Sequence, residues 1–355
     1  MIYFLCKVMD AKQVSKSIED IRIELNLNRG VTPFVQNVME SEDTIFVIVG
    51  DRAEKSQCIG PGGRIAAELS KRFEKQITIL SQTELDVRVS RLESSLVRID
   101  EIKEVYQGRH MPLLKKIASQ IAIEKHYPAH LNKNRQVVDD ETPIIVAYSG
   151  GIDSSAVLIL LKKWGFLPIA VTADPGPQIL PPNLKHNIEE FCRKLNIVQV
   201  YVDTVEEIDS TLRGALEGRF HPCGRCHSIL IDSVKKYVLR EKQHMLVTGE
   251  LLPHGRQAFE FRNDVLIVHL LAALALTKFR TINICEEEGL RIQSSHFGCQ
   301  FLSKLHGTIQ GIVQASIDRV LRELEAGILT TGMAMNLIRD ILRPANKSQI
   351  SPVGD

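Results

Sequence analysis

Two cysteines stand in a C-x-x-C spacing within the stretch HPCGRCHS at residues 221–228, with a histidine on either side. This spacing suits a redox dithiol, half of a zinc site or part of an iron–sulfur cluster. Cys223 and Cys226 alone do not choose among these kinds of site. The choice depends on the elements that position the two thiols and on the ligands that other parts of the chain supply.

A glycine loop lies in the stretch IIVAYSGGIDSSAVLILLKKW, which begins at Ile144. Its apolar, β-branched start predicts a strand that ends at Tyr148, and its second half predicts a helix from about Asp153. Gly150 and Gly151 let the backbone approach a ligand closely, so the loop amides and the helix N-terminus predict an anion site. Further donors are the hydroxyl groups of Ser149, Ser154 and Ser155. The loop has neither the lysine of a Walker A motif nor the spacing of G-x-G-x-x-G.

This loop resembles the SGGxDS signature of the PP-loop ATP pyrophosphatases, also called adenine nucleotide alpha hydrolases. The motif and its immediate neighbours are Ser149, Gly150, Gly151, Ile152, Asp153, Ser154 and Ser155. The resemblance implies that the β- and γ-phosphates of ATP bind here with Mg²⁺, and that AMP passes to a substrate as pyrophosphate leaves. It also implies a catalytic role for Asp153. The competing interpretation is a tight strand–helix turn with a capping aspartate.

The same resemblance implies further contacts to ATP. The end of the second strand would face the adenosine, and it carries Thr172, Ala173 and Asp174. Gly249 follows the fourth strand and would lie near the nucleotide together with Glu250. Many members of the superfamily continue that glycine with His and Asp, whereas this chain has Glu250, His254 and Arg256. A carboxylate can hold Mg²⁺ and an arginine can hold phosphate, and ordinary loop residues remain an equal alternative.

A third cysteine is implied by the resemblance to one group of tRNA thiolation enzymes within this superfamily. In that group the C-x-x-C pair follows the third strand, a third cysteine follows the fifth, and the three bind an iron–sulfur cluster, typically 4Fe-4S, that can hold sulfide. The downstream candidates here are Cys285 in INICEEEG and Cys299 in HFGCQF. Cys299 is favoured because Gly298 permits a close backbone turn. The acidic run beside Cys285 would raise a thiol pKa and suit a negatively charged cluster poorly.

Other interpretations of the cysteines stay open. A zinc site would need a fourth ligand, which His221, His227 or His296 can supply. A persulfide or disulfide route would use the C-x-x-C pair without metal. The three cysteines that lie inside apolar patterns are expected to be buried bystanders: Cys6, Cys58 and Cys192.

A second glycine motif, GPGG, spans Gly60, Pro61, Gly62 and Gly63 and is followed by Arg64. The surrounding pattern predicts the order α-β-β-α-α-β within residues 1–83, with the motif between two helices. The motif and this order resemble the GXXG loop of a KH domain of the second topological type. The resemblance implies that the loop clamps the backbone of single-stranded RNA. Alone, GPGG would fit an ordinary helix–helix turn.

The elements that position the motifs follow from apolar periodicity. Strands are predicted at residues 144–148, 166–173, 198–203, 244–249 and 265–270, with helical patterns between them. This alternation predicts an α/β fold with a parallel sheet, which the resemblance makes a PP-loop (HUP-like) domain. The predicted organisation is a KH-like α+β domain at 1–83, a helical connector at 84–140, a PP-loop domain with C-terminal helices at 141–342 and a tail at 343–355. The connector carries seven Lys/Arg against two Glu between residues 103 and 135, which fits a solvated linker or a basic ramp for a polyanion.

Composition bounds the class of protein. The 355 residues suffice for two or three domains, and 44 Lys/Arg against 43 Asp/Glu mean that any basic surface must be local. The N-terminus shows no secretory signal, and the longest apolar run is interrupted by His269 and too short to span a bilayer. These features predict a cytoplasmic protein without a membrane partner. Seven cysteines then point to metal binding or catalysis before disulfides.

Together the two resemblances imply an ATP-dependent enzyme that adenylates a nucleobase carbonyl of tRNA and inserts sulfur from a donor. Cys223, Cys226 and Cys299 would hold the cluster, and a homodimer is compatible with the sequence. One rival is a sulfonucleotide-reductase-type enzyme that acts on a small molecule. The other is a non-catalytic RNA-binding protein whose PP-loop senses nucleotide.

Overall fold

The computed structural model describes residues 10–27, 33–41, 43–106, 110–129, 142–290 and 297–343. The chain divides into two compact units. The first consists of Met1–Ser94 with Ser119–Arg135, and the second of Ser95–Ala118 with Gln136–Asp355. The predicted residues Cys6 and His296 lie outside the described ranges.

The first unit has the element order α-β-β-α-α-β. Its elements are α1 (Ala11–Glu24), β1 (Val35–Glu40), β2 (Thr44–Val49), α2 (Arg52–Ile59), α3 (Arg64–Phe73) and β3 (Gln76–Ser81). The sheet order is β1-β2-β3, in which β1 and β2 are antiparallel while β2 and β3 are parallel. A short 3₁₀ turn at Pro61–Gly63 joins α2 to α3. The GPGG motif therefore forms the connection between two helices.

The core of the first unit lies between its helices and one face of the sheet. Val14, Ile18 and Ile21 recur at helical spacing on α1 and are fully buried. They share one cluster with Ile65 and Leu69 of α3 and with the inward side chains of all three strands. Burial of each such side chain contributes about 1.5–3 kcal/mol, so this face fixes the helices on the sheet.

Two helices occupy most of the segment between the predicted domains. They are α4 (Gln82–Val105) and α5 (Met111–Glu124). Within the first unit, the guanidinium of Arg88 lies 2.6 Å from the buried carboxylate of Glu124 and 4.9 Å from the ring centroid of Tyr127. In the second unit, the buried Lys116 lies 5.8 Å from the ring of Trp164. Basic residues of this segment therefore include some that stabilise packing rather than face solvent.

The second unit is a mixed α/β fold that contains a parallel-strand sheet. Its strands are β4 (Pro143–Ala147), β5 (Leu167–Asp174), β6 (Val198–Asp203), β7 (Met245–Thr248), β8 (Phe259–Arg262) and β9 (Val265–His269). Its helices are α6 (Ile152–Lys163), α7 (Pro182–Lys194), α8 (Val205–Leu216), α9 (Cys223–Arg240), α10 (Leu270–Ala273), α11 (Lys278–Glu286), α12 (Gln300–His306), α13 (Gln310–Glu325) and α14 (Thr331–Leu342). The strand order is β6-β5-β4-β7-β9-β8. The predicted parallel sheet is confirmed.

One strand was not predicted. β8 has four residues, FEFR, and pairs antiparallel with β9. Asn263 has a φ of 54° in the connection, a left-handed conformation that asparagine tolerates better than most residues. The strand is too short for its alternation to stand out in the sequence, so it is defined by its pairing with β9.

The carboxyl edge of the sheet collects the loops that carry the motifs. The strands β4, β5, β7 and β9 are parallel and therefore end at the same edge. Helix α9 ends at Arg240, shortly before β7 begins at Met245, so Cys223 at its start lies near the edge where β7 ends. Ile231, Val234 and Val238 pack α9 against the sheet. Among the helices within the described ranges, none has the length and hydropathy required to cross a membrane.

Candidate active site at the carboxyl edge of the parallel sheet

The glycine loop between β4 and α6 is closed by serine hydroxyl groups. Ser154 Oγ donates to the Gly151 carbonyl at 3.1 Å and accepts from the Ser149 amide at 3.3 Å. Gly150 has a φ of 75°, and a Cβ there would lie 2.7 Å from Ile188 Cγ1. A side chain at this position is therefore excluded twice, by conformation and by contact. The result is a compact loop at a helix N-terminus, where backbone amides favour an anion.

Gly249 brings the end of β7 directly against this loop. A Cβ on Gly249 would lie 2.6 Å from the Ser154 amide nitrogen and 2.8 Å from the Asp153 carbonyl carbon. Both atoms belong to the backbone of the first turn of α6, which cannot yield as a flexible side chain would. The structure thus brings together two predicted nucleotide segments that are about a hundred residues apart in the sequence.

Asp153 has a basic partner that the sequence did not indicate. Lys278 Nζ lies 2.8 Å from each carboxylate oxygen of Asp153. Lys278 is the first residue of α11, and Thr277 caps that helix by accepting from the Arg280 amide at 3.3 Å. A carboxylate can bind Mg²⁺ and a lysine can bind phosphate as a point charge. The pair therefore offers both functions beside the loop.

The predicted adenosine contacts at the end of β5 already have protein partners. Thr172 is buried, and its hydroxyl accepts from Gln199 Nε2 at 2.8 Å. Asp174 forms an ion pair with Lys185 and accepts from the Gly176 amide at 3.0 Å. Tyr148, at the start of the glycine loop, donates its amide proton to Val171 at 2.9 Å. The end of β5, including the partly buried Ala173, therefore borders the loop.

Arg256, a possible phosphate ligand by sequence, is engaged elsewhere in the second unit. Its Nη2 lies 2.7 Å from Glu101 Oε2 on α4. Hydrogen bonds from Arg256 and from Arg98 hold the pKa of the Glu101 carboxyl below its usual value. Arg256 therefore serves an ion pair with α4.

The C-x-x-C cysteines begin α9, and Cys299 joins them. Burial raises the pKa of the Cys223 thiol, while the charge of Arg319 lowers it and that of Cys299 raises it. Burial, followed by the charges of Cys299 and Cys223, raises the pKa of Cys226 to about 12. Each thiol is thus close enough to oppose ionisation of another. Such thiols stay protonated at neutral pH unless a cation replaces the protons.

Cys285 lies at a different place in the second unit. Its thiol donates to the Ile152 carbonyl at 3.5 Å and is buried against α6. Burial and the charge of Asp153 raise its pKa to about 12, and none of the charges that act on it comes from the other cysteines. Cys58 is buried in the apolar core of the first unit, and Cys192 is buried with its thiol donating to Gln199 Oε1 at 3.4 Å. The structure therefore brings Cys299, and not Cys285, to the C-x-x-C pair.

Residues of the C-terminal helices lie around these thiols. Arg319 of α13 forms a hydrogen bond with Cys223 and places its guanidinium 6.0 Å from the ring centroid of Phe297. Ser316 lies one turn earlier, fully buried, with its Oγ 3.0 Å from His221 Nε2 and 2.8 Å from His306 Nε2. Burial lowers the pKa of both histidines. The sequence offered no signal for Arg319 or Ser316 beyond their helical pattern.

A single zinc ion and an iron–sulfur cluster hold their ligand sulfurs at different distances from each other. Zinc–sulfur bonds of about 2.3 Å bring the sulfurs of one zinc site within about 4 Å of each other. Within the described ranges, no three His, Cys, Asp or Glu side chains are arranged to hold a single metal ion. A multi-iron cluster holds its ligand sulfurs farther apart, and the cation of Arg319 suits its negative charge.

A polar cavity of about 200 Å³ lies beside the thiols, between the start of α9 and the ends of β7 and β9. Its polar lining consists of His227, Thr248, Glu250, Gln257, Glu260, Arg262 and His269. His227 Nε2 lies 2.9 Å from Glu250 Oε1, and Thr248 Oγ1 lies 2.6 Å from His269 Nδ1. Glu250, which the sequence assigned to the nucleotide, thus lies between two histidines. Apart from His227, which the sequence offered as a zinc ligand, the other polar lining residues were missed, because strand pairing brings them together.

Two pKa shifts describe the charge in this cavity. Burial acts to raise the pKa of Glu250, but the hydrogen bond from His227 and the charges of His269, His227 and Arg262 outweigh it and leave the pKa lowered. Burial lowers the pKa of His269, against the opposing charges of Glu250 and Glu260. At neutral pH the cavity therefore holds an ionised carboxylate beside a neutral imidazole.

In the first unit, the GPGG loop is open to solvent. Gly60, Gly62 and Gly63 all have positive φ, and a Cβ on Gly62 or Gly63 would meet no atom within 4 Å. Arg64 begins α3 and is exposed. The basic residues farther along have acidic partners: Lys71 with Glu68, Arg72 with Glu24 and Lys75 with Glu40. Within the turn, the amides of Gly60 and Gly63 donate to Ser56 and Gly60, so the exposed side chain of Arg64 is the cationic group next to the turn.

Comparisons with known proteins give distant similarities. No family model matches the chain. An uncharacterized protein of Methanocaldococcus jannaschii is 25% identical over 271 residues, which cover 76% of this chain and 98% of that protein. The U34-tRNA thiolase NcsA from Methanococcus maripaludis, solved with its 4Fe-4S cluster, gives a TM-score of 0.38 at 14% identity, over 64% of this chain and 77% of that one. The second similarity is too distant to assign a fold or a function.

Proposed function

We propose that this protein is an ATP-dependent RNA-modifying enzyme of the PP-loop type, which adenylates a nucleobase carbonyl and replaces its oxygen with sulfur. The observation that supports this most strongly is the arrangement of the second unit. A glycine loop suited to phosphates and a group of three thiols lie at one edge of the same parallel sheet. The reaction requires a nucleotide-binding site and a site that supplies sulfur, and this edge of the sheet offers a candidate for each.

In the proposed nucleotide site, ATP binds at the loop between β4 and α6. The proposed contacts are Ser149, Gly150, Gly151, Ile152, Asp153, Ser154, Ser155, Thr172, Ala173, Asp174 and Gly249. Lys278 joins this set because its ammonium group is 2.8 Å from the Asp153 carboxylate. When Mg²⁺ binds that carboxylate, Lys278 is free to pair with the β- and γ-phosphates. Glu250 is left out, since its carboxylate lies between two histidines.

The chemistry assigned to the chain has two steps. The carbonyl oxygen of the base attacks the α-phosphorus, and the loop amides with Lys278 stabilise the charge of the departing pyrophosphate. Sulfur then attacks the carbon of the base that bears this oxygen, and AMP leaves with the former carbonyl oxygen. A 4Fe-4S cluster on Cys223, Cys226 and Cys299 would supply sulfide for this attack. Arg319 holds a positive charge beside Cys223.

We further propose that the first unit is a KH-like RNA-binding domain and that tRNA is the substrate. The support is the α-β-β-α-α-β order, the mixed sheet and the open GPGG turn between α2 and α3. An RNA-binding unit and an ATP-binding unit in one chain favour an RNA substrate over a small molecule. It gives the proposed function its substrate class.

The proposed function is tested by pyrophosphate release. Anaerobically purified protein with ATP and Mg²⁺ is expected to release pyrophosphate when total tRNA is added, and Lys278→Ala is expected to lower the rate about 100-fold or more. Lys162→Ala, at the far end of α6, is the matched charge control and should retain the rate. No release above background with tRNA would contradict the catalytic proposal. Release without any RNA would favour the small-molecule rival.

The proposed RNA contact of the GPGG loop is tested by adding charge to it. In Pro61→Asp/Gly62→Asp, two carboxylates should repel the RNA backbone and weaken tRNA binding at least about tenfold. Pro61→Asn/Gly62→Asn is the neutral control, because asparagine has the same shape and tolerates positive φ. Binding is measured by filter retention at fixed salt, with folding checked by circular dichroism. Equal loss of affinity in both variants would count against a phosphate contact.

A further inference from the structure

The polar cavity lies between the two proposed reaction centres. His227, on its wall, directly follows Cys226, and Glu250 directly follows Gly249, which packs on the first turn of α6. One lining residue of the cavity is thus adjacent in sequence to a thiol, and another is adjacent to the glycine that contacts the glycine loop. A substrate atom that has to meet both the nucleotide and sulfur would lie at this position.

The charges in the cavity disfavour a phosphate. Two carboxylates, Glu250 and Glu260, line it, and the single arginine of the lining, Arg262, is 2.7 Å from Glu260. Of the other polar lining residues, Thr248 and Gln257 are uncharged, and His227 and His269 both lie beside Glu250. A triphosphate here would face net negative charge, so the cavity suits a neutral, polar ligand.

The size of the cavity points to a single small ring. Its volume of about 200 Å³ is below the range of about 300–1,000 Å³ that is typical for drug-sized ligands. Ile231, Ile267 and Pro253 add apolar surface between the polar groups. A flipped-out base is held by contact with apolar side chains and by hydrogen bonds to its edge, and this lining offers side chains of both kinds.

The hydrogen-bonding groups define which ring fits. Thr248 Oγ1 is 2.6 Å from His269 Nδ1, a hydrogen bond in which either group can donate, so His269 can present a donor or an acceptor through its other ring nitrogen. Glu250 is an acceptor only, and Gln257 adds an amide that donates. An acceptor between donors matches a ring N–H between carbonyl groups. A ring nitrogen with a lone pair, as in cytosine, would face the carboxylate without a proton.

We propose that this cavity binds the base to be modified, and that Glu250, held between His227 and His269, selects an imide edge such as that of uracil by accepting its ring N–H. One carbonyl of the imide accepts from the donors of the cavity, and the other is left to face the nucleotide. This proposal rests on the proposed function for its substrate class. The binding itself is measurable without turnover.

The test follows the acylation of His227 by diethyl pyrocarbonate, read by peptide mass spectrometry. Uridine at saturating concentration is expected to slow modification of His227 about tenfold, while the exposed His186 on α7 serves as the internal control. Protection is expected to be absent with 3-methyluridine and cytidine, and also in Glu250→Leu. Equal protection by cytidine, or protection by Mg–ATP in place of uridine, would overturn the assignment.

A second readout separates this proposal from the proposed function. Glu250→Leu is expected to bind ATP with unchanged affinity and to lose tRNA-dependent pyrophosphate release about 100-fold or more, because the ring N–H has no partner. Normal release by this variant would overturn the cavity assignment and leave the function intact. Protection of His227 by uridine in a wild-type protein that releases no pyrophosphate would support the base site and overturn the function. Glu250→Ala, which also lacks an acceptor, provides a second variant should the leucine disturb folding.

Discussion

Replacing Cys299 by serine is expected to remove the iron and the thiolation activity of the protein, whereas replacing Cys285 should leave both. Anaerobic wild-type protein should contain about four iron atoms per chain, and Cys299→Ser below about one, since a cluster with two remaining ligands is not retained. The physical reason is position: Cys299 is close enough to raise the pKa of Cys223 and Cys226, and Cys285 is hydrogen-bonded to Ile152 instead. Iron is measured by colorimetric assay and activity by mass spectrometry of tRNA nucleosides.

Cys285→Ser is the matched control, because it makes the same change at a thiol that is buried in the same unit. Loss of iron in Cys285→Ser with retention in Cys299→Ser would reverse the assignment of the third ligand. Stoichiometric zinc in colourless wild-type protein would instead replace the cluster by a structural metal site.

Gly249→Ala is expected to abolish ATP binding, with a loss of affinity of about 100-fold or more. The added Cβ would lie 2.6 Å from the Ser154 amide nitrogen, so the first turn of α6 must shift and the loop amides move with it. Overpacking of this kind costs about 1–3 kcal/mol, which should also lower the midpoint of urea unfolding. ATP binding is measured by calorimetry in the absence of RNA, and unfolding by circular dichroism.

Gly332→Ala on α14 provides the control for this substitution. A Cβ there meets no atom within 4 Å, so alanine should stabilise the helix by about 0.5–1 kcal/mol and leave ATP binding unchanged. If Gly249→Ala binds ATP as the wild type does, the contact between β7 and α6 does not shape the nucleotide site. Lowered unfolding midpoints in both variants would point to a general intolerance of an added methyl group at these glycines.

The features predicted well from the sequence are those with local signals. The five parallel strands agree with their predicted ranges to within one or two residues. Strands that are buried on both faces of a sheet are continuous apolar, β-branched runs, and such runs are easy to find in a sequence. The apolar runs on either side of the glycine motif likewise predicted a turn between β4 and the start of α6. The choice of Cys299 over Cys285 rested on immediate neighbours, a glycine and an acidic run, and it agrees with the grouping of the thiols.

The features missed are those that depend on pairing between distant segments. Lys278 reaches Asp153 across 125 positions of sequence, and Arg319 reaches Cys223 from a helix that looked like ordinary core packing. Glu250 was assigned to the nucleotide from its place after Gly249, yet its partners are His227 and His269. Such contacts have no local pattern, since the side chains involved are common on any helix or strand end.

The hydrogen bonds of Ser316 and the contact of Arg319 with Cys223 have a consequence for biosynthesis. Both residues are made well after the C-x-x-C pair, and so is Cys299. When the ATP-binding strands leave the ribosome, the two early thiols have neither their third partner nor the cation that accompanies them. Under the proposed function, a cluster would therefore have its three thiol ligands only once Cys299 has been synthesised, and the neighbouring cation only once α13 has packed.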